Sequence, residues 1–283
     1  MIVVTGTKRS GTSMWMRMLR AAGFSLIGTA FPGRWERSIK QANPEGYFES
    51  RFRYGIYFRT NPDPHDGSYL FPHKTRRHVV KVFIPGLIRT DMAFIDRVVA
   101  SMRHPGEYAA SVRRLYAMED EAHAELSNTS AEALLCPPVR PDPLLEWWSE
   151  NFSLISDALT RRYPLHLTAY EATLDDPQKA VSDALGWLDG GDAAAAASIV
   201  DRTAQTQGQL ARERNSEAHS VSNEAFEVFE ALYQKVLHRE PLTERFVDEL
   251  NKTHRHLSPR IDEDLKRQGQ AYIGRREAPG FMR

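Results

Sequence analysis

Cysteine is almost missing from this chain: Cys136 is the only one among 283 residues. An intrachain disulfide is therefore impossible and a zinc cluster of thiolates is excluded, which fits a reducing compartment. An excess of either charge is missing too, since Lys+Arg and Asp+Glu both count 37. No global field draws such a chain to nucleic acid or to a membrane surface, so any anion site must be local. No run approaches the ~18 apolar residues of a membrane span. The opening residues read as a core strand rather than a basic segment before a long apolar one, which argues against a signal peptide. These absences predict a cytoplasmic protein with no integral span and no nucleic-acid partner. Repeats and low-complexity linkers are absent as well, and the expected organisation is one domain over 1–283, with residues 191–283 a mainly helical C-terminal portion.

What is present is an α/β pattern. Hydrophobic residues at 41% and charged residues at 26% suit a globular core. Ile2–Thr5 is a short β-branched run, followed by a glycine-containing loop and a helical stretch, 13–22. "HVVKVFIPG" (78–86) reads as a second strand ending at Pro85-Gly86, Val98–Met102 as a third, and Leu165–Tyr170 as a fourth. Pro105 marks the first turn of the helix after the third strand. Helix-like stretches lie between the strands, so the expected fold is a central parallel β-sheet with helices on both faces. Residues 60–78 read as a surface loop, and the prolines of "CPPVRPDP" (136–143) exclude a continuous helix there.

The loop after the first strand, Gly6-Thr7-Lys8-Arg9-Ser10-Gly11-Thr12-Ser13, has phosphate-loop spacing but lacks the lysine that normally follows the second glycine. Its glycines allow a tight turn in which backbone N–H groups and a helix amino end converge on an anion. The missing lysine is the group that reaches the β and γ phosphates of a triphosphate. A magnesium-binding carboxylate closing a nearby strand is missing also: "VVASM" runs into Arg103 and "VKVFI" into Pro85. Hydroxyls and arginine without a metal ligand suit an anion of lower charge, such as one 5′-phosphate bearing a sulfuryl group. A second anion contact is predicted at Arg103, which ends a strand and so faces the ligand crevice of a parallel sheet. Ser111, eight residues on in the following helix, faces the same crevice.

With these motifs in place, the sequence resembles the sulfotransferases that use 3′-phosphoadenosine 5′-phosphosulfate (PAPS), in the style of bacterial members. Arg9-Ser10-Gly11-Thr12-Ser13 is similar to that family's 5′-phosphosulfate loop, and Arg103 with Ser111 to its 3′-phosphate motif. "VVKVFIPG" resembles the strand carrying a lysine near the donor, here Lys81. "NPEGYFES" (43–50) resembles the Asn-Pro-x-Gly-x-x-Glu stretch of bacterial relatives, and "YPLHLTAYEATLDDP" the late strand with its Tyr-Glu pair. The likeness covers about residues 1–190.

The resemblance implies a P-loop nucleotide-hydrolase-like sulfotransferase fold, PAPS as donor, no metal, and a small-molecule acceptor with a hydroxyl or amine. It implies Arg9 and Lys81 as residues that steady charge on the moving group. It implies donor binding by Lys8, Arg9, Ser10, Gly11, Thr12, Ser13, Arg103 and Ser111, with Tyr170 against adenine and Arg212 and Arg214 replacing a late basic motif that is not visible. The histidine that many relatives carry two residues after the lysine is Phe83 here. Glu49 is then the nearest match for the proton acceptor, with Glu45, Glu36, His73 and His78 as alternatives. Two rival functions stand beside this one: a phosphate-loop kinase or nucleotide hydrolase, and a non-catalytic protein that binds PAPS or its product, 3′,5′-adenosine bisphosphate (PAP).

Overall fold

In a computed structural model the structure describes residues 1–31, 43–127, 139–200 and 220–277. Five strands form one sheet: β1 (Ile2–Gly6), β2 (Ser25–Ile27), β3 (His78–Lys81), β4 (Arg97–Met102) and β5 (Leu165–Ala169). Their order is β2-β3-β1-β4-β5, and every pairing is parallel. The chain thus passes from β3 on one side of β1 to β4 on the other. In an open parallel sheet this reversal opens a crevice at the carboxyl ends of the strands.

Helices cover both faces because β1 alternates its side chains between them. Ile2 and Val4 pack, with Val79 and Val99, against α1 (Thr12–Ala21) and α6 (Pro177–Trp187) through Trp15, Met18, Leu19, Val181 and Leu185. Val3, Val80 and Val98 face the other way, against Leu87 of α2 (Ile84–Arg89) and Leu154 of α4 (Pro143–Arg161). Between β4 and α4 runs α3 (Pro105–Ser127), and between β5 and α6 a short α5 (Tyr170–Asp175). After α7 (Ala193–Ala197) come α8 (Asn223–His238) and α9 (Glu244–Glu277). These last two join α3 and α4 in a separate cluster around Tyr108, Trp147, Trp148 and Phe229. Trp148 and Phe229 stack with centroids 4.6 Å apart, worth about 1 kcal/mol beyond area burial. No described helix is long and apolar enough to cross a membrane.

Three local expectations change. Strand β3 stops at Lys81, and Pro85 and Gly86 lie inside α2, where proline's fixed φ suits a helix's first turn. Strand β5 ends at Ala169, and Tyr170 opens α5 instead. The edge strand β2 was not anticipated, since three residues carry too little alternation to register.

Candidate functional site

The loop between β1 and α1 owes its shape to two glycines. A Cβ on Gly6 (φ 150°) would sit 2.4 Å from the Ser101 carbonyl oxygen, and one on Gly11 (φ 85°) 2.4 Å from the Tyr170 ring. Arg9 also takes a left-handed φ of 66°, which costs roughly 1 kcal/mol for a residue with a side chain. Hydrogen bonds hold the turn: the Ser10 hydroxyl donates to the Thr7 carbonyl at 2.6 Å, and the Ser101 hydroxyl of β4 donates to the Ser10 carbonyl at 2.6 Å. Helix α1 has Gly11 as its N-cap, no side-chain cap and no acidic residue in its first turn. Its first N–H groups are therefore left for an external acceptor, at the positive end of the helix dipole. The Thr7 hydroxyl is buried with no hydrogen-bond partner among the described residues. This donor-rich, carboxylate-free turn fits a phosphate or phosphosulfate group.

The two anion motifs meet. Arg103, one residue past β4, donates from Nη1 to the Arg9 carbonyl at 3.1 Å, and Arg9 donates from Nε to the Ser111 hydroxyl at 3.4 Å. Burial, followed by repulsion from Arg103, pulls the Arg9 pKa down. The Arg103 guanidinium lies 5.0 Å from the Tyr170 ring centroid. Glu107 and Glu171 stand 3.7 and 3.9 Å from it, at ion-pair rather than hydrogen-bond distance. Tyr233 of α8 donates to Glu171 at 2.7 Å, and the Trp147 indole donates to the Arg103 carbonyl at 2.8 Å. The sheet thus brings Arg9, Arg103, Ser111 and Tyr170 together at the carboxyl ends of β1, β4 and β5.

A second charged group flanks the loop on the β3 side. Lys81, which ends β3, donates to the Glu49 carboxylate at 2.9 Å, to the Tyr47 carbonyl at 3.1 Å and to the Ser13 hydroxyl at 3.2 Å. Lys81 and Glu49 are 4% and 3% exposed, so this is a buried ion pair. Desolvation lowers the Lys81 pKa, with Glu49 opposing it. The other Glu49 oxygen meets Arg53 at 3.4 Å. Glu49 is placed by an antiparallel bridge to Thr29. A cleft of about 480 Å³ opens beside it, lined by Gly28, Thr29, Arg51, Arg53 and Tyr54 among others.

Other predicted residues lie elsewhere. Lys8 turns from the loop toward α3 and α4, 2.7 Å from Glu146 and 2.5 Å from the Tyr116 hydroxyl. Glu45 pairs with Arg17 at 3.1 Å. His78 begins β3, at the opposite end of the strand from Lys81, and His73 is an exposed residue of a 3-10 turn tilted against Phe71. Glu36, Arg212 and Arg214 lie outside the described residues.

Sequence reading passed over Ser101, Arg53 and Tyr47. Ser101 lies two residues before Arg103, so strand alternation puts both on one face, and that spacing was a usable signal. Arg53 is i+4 from Glu49, a spacing that brings side chains together on one turn of chain. Tyr47 acts through its carbonyl, which no residue type announces.

No protein-family profile matches the chain, and no curated protein does. Among solved structures it is similar to a sulfotransferase domain from the curacin biosynthetic pathway, with 15% identity, covering 91% of this chain and 96% of that one, at a TM-score of 0.40. A likeness that loose carries no functional weight.

Proposed function

We propose that the chain is a sulfotransferase that moves a sulfuryl group from PAPS to a hydroxyl or amine of a small acceptor. The observation that carries this reading is the meeting of two anion-binding motifs from distant parts of the sequence. Arg9 reaches Ser111, and Arg103 reaches the Arg9 carbonyl, beside an uncapped helix amino end. PAPS, when bound, supplies a sulfuryl group on a phosphate that leaves readily.

The residues present divide its binding among them. The N–H groups of Gly11, Thr12 and Ser13, with the Thr7 hydroxyl, hold a 5′-phosphate without a metal, while the Ser10 hydroxyl keeps the turn closed. Arg103 and Ser111 read a 3′-phosphate, and Tyr170 offers a ring face to adenine. Lys81 stabilises charge that develops on the leaving oxygen; its three ammonium protons are held by Glu49, the Tyr47 carbonyl and the Ser13 hydroxyl, so the one on Ser13 turns to that oxygen. Glu49 orients that lysine. For Glu49 to accept the acceptor's proton as well, it must first give up Lys81 or Arg53, because both its oxygens are taken.

Thermal melts with PAP, AMP, ATP and ATP with magnesium test the reading. PAP at a hundredfold excess over its dissociation constant is expected to stabilise the fold by about 2.7 kcal/mol, with AMP and ATP far behind at equal concentration. A shift given only by ATP with magnesium would move the assignment to the kinase or hydrolase class.

A further inference from the structure

Behind Lys8 lies a second cleft, of about 210 Å³, between α4 and α9 with Pro85 at its edge. Its apolar wall is Leu145, Ile261 and Leu265, and its charged lining is acidic: Glu146, Glu150 and Asp264. Two of these carboxylates are already satisfied. Glu146 pairs with Lys8 and accepts from the Tyr108 and Tyr116 hydroxyls at 2.9 and 3.3 Å. Asp264 pairs with Arg267 and accepts from the Asp142 amide at 2.9 Å. Glu150, one turn after Glu146 and partly buried, has neither an ion pair nor a hydrogen bond among the described residues. Burial, and then the Glu146 charge, raise its pKa to about 8, against a smaller opposing pull from Lys8. At neutral pH it is therefore mostly protonated.

Such a cleft discriminates by charge. An anion entering it meets three carboxyls. A neutral alcohol finds one protonated acid and gains little. An organic cation supplies what the lining lacks, because an ammonium beside Glu150 makes ionisation favourable and buries its apolar body against Leu145, Ile261 and Leu265. We infer that this cleft is a binding site for an organic ammonium ion, an amine carried on an apolar body. The Lys8–Glu146 pair joins the cleft to the phosphate loop. The cleft's further identity as the acceptor's amine subsite rests on the function proposed above, whereas ammonium binding itself does not.

The groups acting on Glu150 are Glu146 on its own helix, Lys8 from the loop and Tyr108 from α3; Tyr116 lies against Glu146, and Asp264, paired with Arg267, lines the same cleft from α9. Tyr108 and Tyr116 stay protonated at neutral pH, since burial and then Glu146 hold the first well above the usual tyrosine range and the second at about 12. Lys8 stays charged: desolvation is the largest influence and lowers its pKa, but Glu146 and Tyr116 together outweigh it. Glu150 is thus the group that changes charge near neutrality.

Calorimetric titration of the full chain at pH 7 with hexylamine, hexan-1-ol and hexanoate tests the inference. Hexylamine is expected to bind at least ~10-fold more tightly than either analogue. Comparing buffers of different ionisation enthalpy should show release of most of a proton per site as Glu150 ionises. Glu150→Gln should abolish the release and weaken hexylamine at least ~10-fold. Equal affinity for the alcohol, binding without proton release, or no binding of any probe would each overturn it. The wild-type proton count stands even if the variant fails to fold. A PAP melt run in parallel separates the two readings: a PAP shift without amine binding sinks this inference alone, and the converse sinks the donor assignment alone.

Discussion

Breaking the Lys81–Glu49 pair offers a stringent test of how the site is held. The two side chains are 4% and 3% exposed and 2.9 Å apart, so the interaction is desolvated on both sides. Removing one member of a buried pair leaves the other charged in low dielectric, at a cost of about 3–5 kcal/mol. Lys81→Met leaves Glu49 with Arg53 at 3.4 Å as its remaining cation, which offsets part of the loss, so about 2–4 kcal/mol is expected. Glu49→Met should cost less, about 1–3 kcal/mol. Lys81 keeps the Tyr47 carbonyl and Ser13 hydroxyl as acceptors, and its already lowered pKa lets it shed the proton more readily. The double variant Lys81→Met, Glu49→Met removes both charges and both desolvation penalties, and should lie within about 1 kcal/mol of wild type. Urea denaturation of the four proteins at pH 7 gives the coupling directly. If the single effects add to within ~0.5 kcal/mol, the pair is not a coupled unit, and the orienting role given to Glu49 falls with it.

Two further outcomes follow from the same geometry. Arg103→Gln should weaken PAP about 10–100-fold, as loss of a charged hydrogen-bond donor implies, while leaving AMP affinity nearly unchanged; a parallel loss for both ligands in competitive titration would remove Arg103 from the 3′-phosphate. For Glu150, the folded-state pKa of about 8 lies above the ordinary 4.5, so the folded state binds more protons across that interval and stability falls as pH rises through it. The linkage is at most ~5 kcal/mol. Glu150→Gln should therefore flatten the decline between pH 5 and 9 and be the more stable protein at pH 9; parallel pH curves from urea denaturation would refute this.

Much of the architecture was legible because it rests on short-range patterns. The β-branched runs at Ile2–Thr5 and Val98–Met102, each followed by a helix-starting signal, define a parallel sheet almost without further information. The nearness of Arg9 and Arg103 was legible for a related reason, since in such a sheet strand ends share one edge. What stayed hidden depends on contacts without local pattern. The Lys81–Glu49 pair joins residues 32 apart across a loop. The direction of Lys8, next to a loop built for anions, is decided by Glu146 on a helix more than a hundred residues later. Glu150 looks like any helix glutamate until the packing of α4 against α9 is known. The end of β3 was misplaced because Pro85 reads equally as a strand stop and as a helix start.

The bond from the Trp147 indole to the Arg103 carbonyl ties the chemistry to the C-terminal half of the chain. Trp147 stacks on Phe229 of α8, with centroids 5.5 Å apart, so the backbone that aims the guanidinium leans on a helix that otherwise reaches the crevice only from behind, through Tyr233 on Glu171. The proposed recognition of a nucleotide at one end of the sheet would therefore be mechanically downstream of how snugly two remote helices are seated. Reshaping those helices to admit a bulkier guest would detune the proposed nucleotide grip without altering any residue assigned to it.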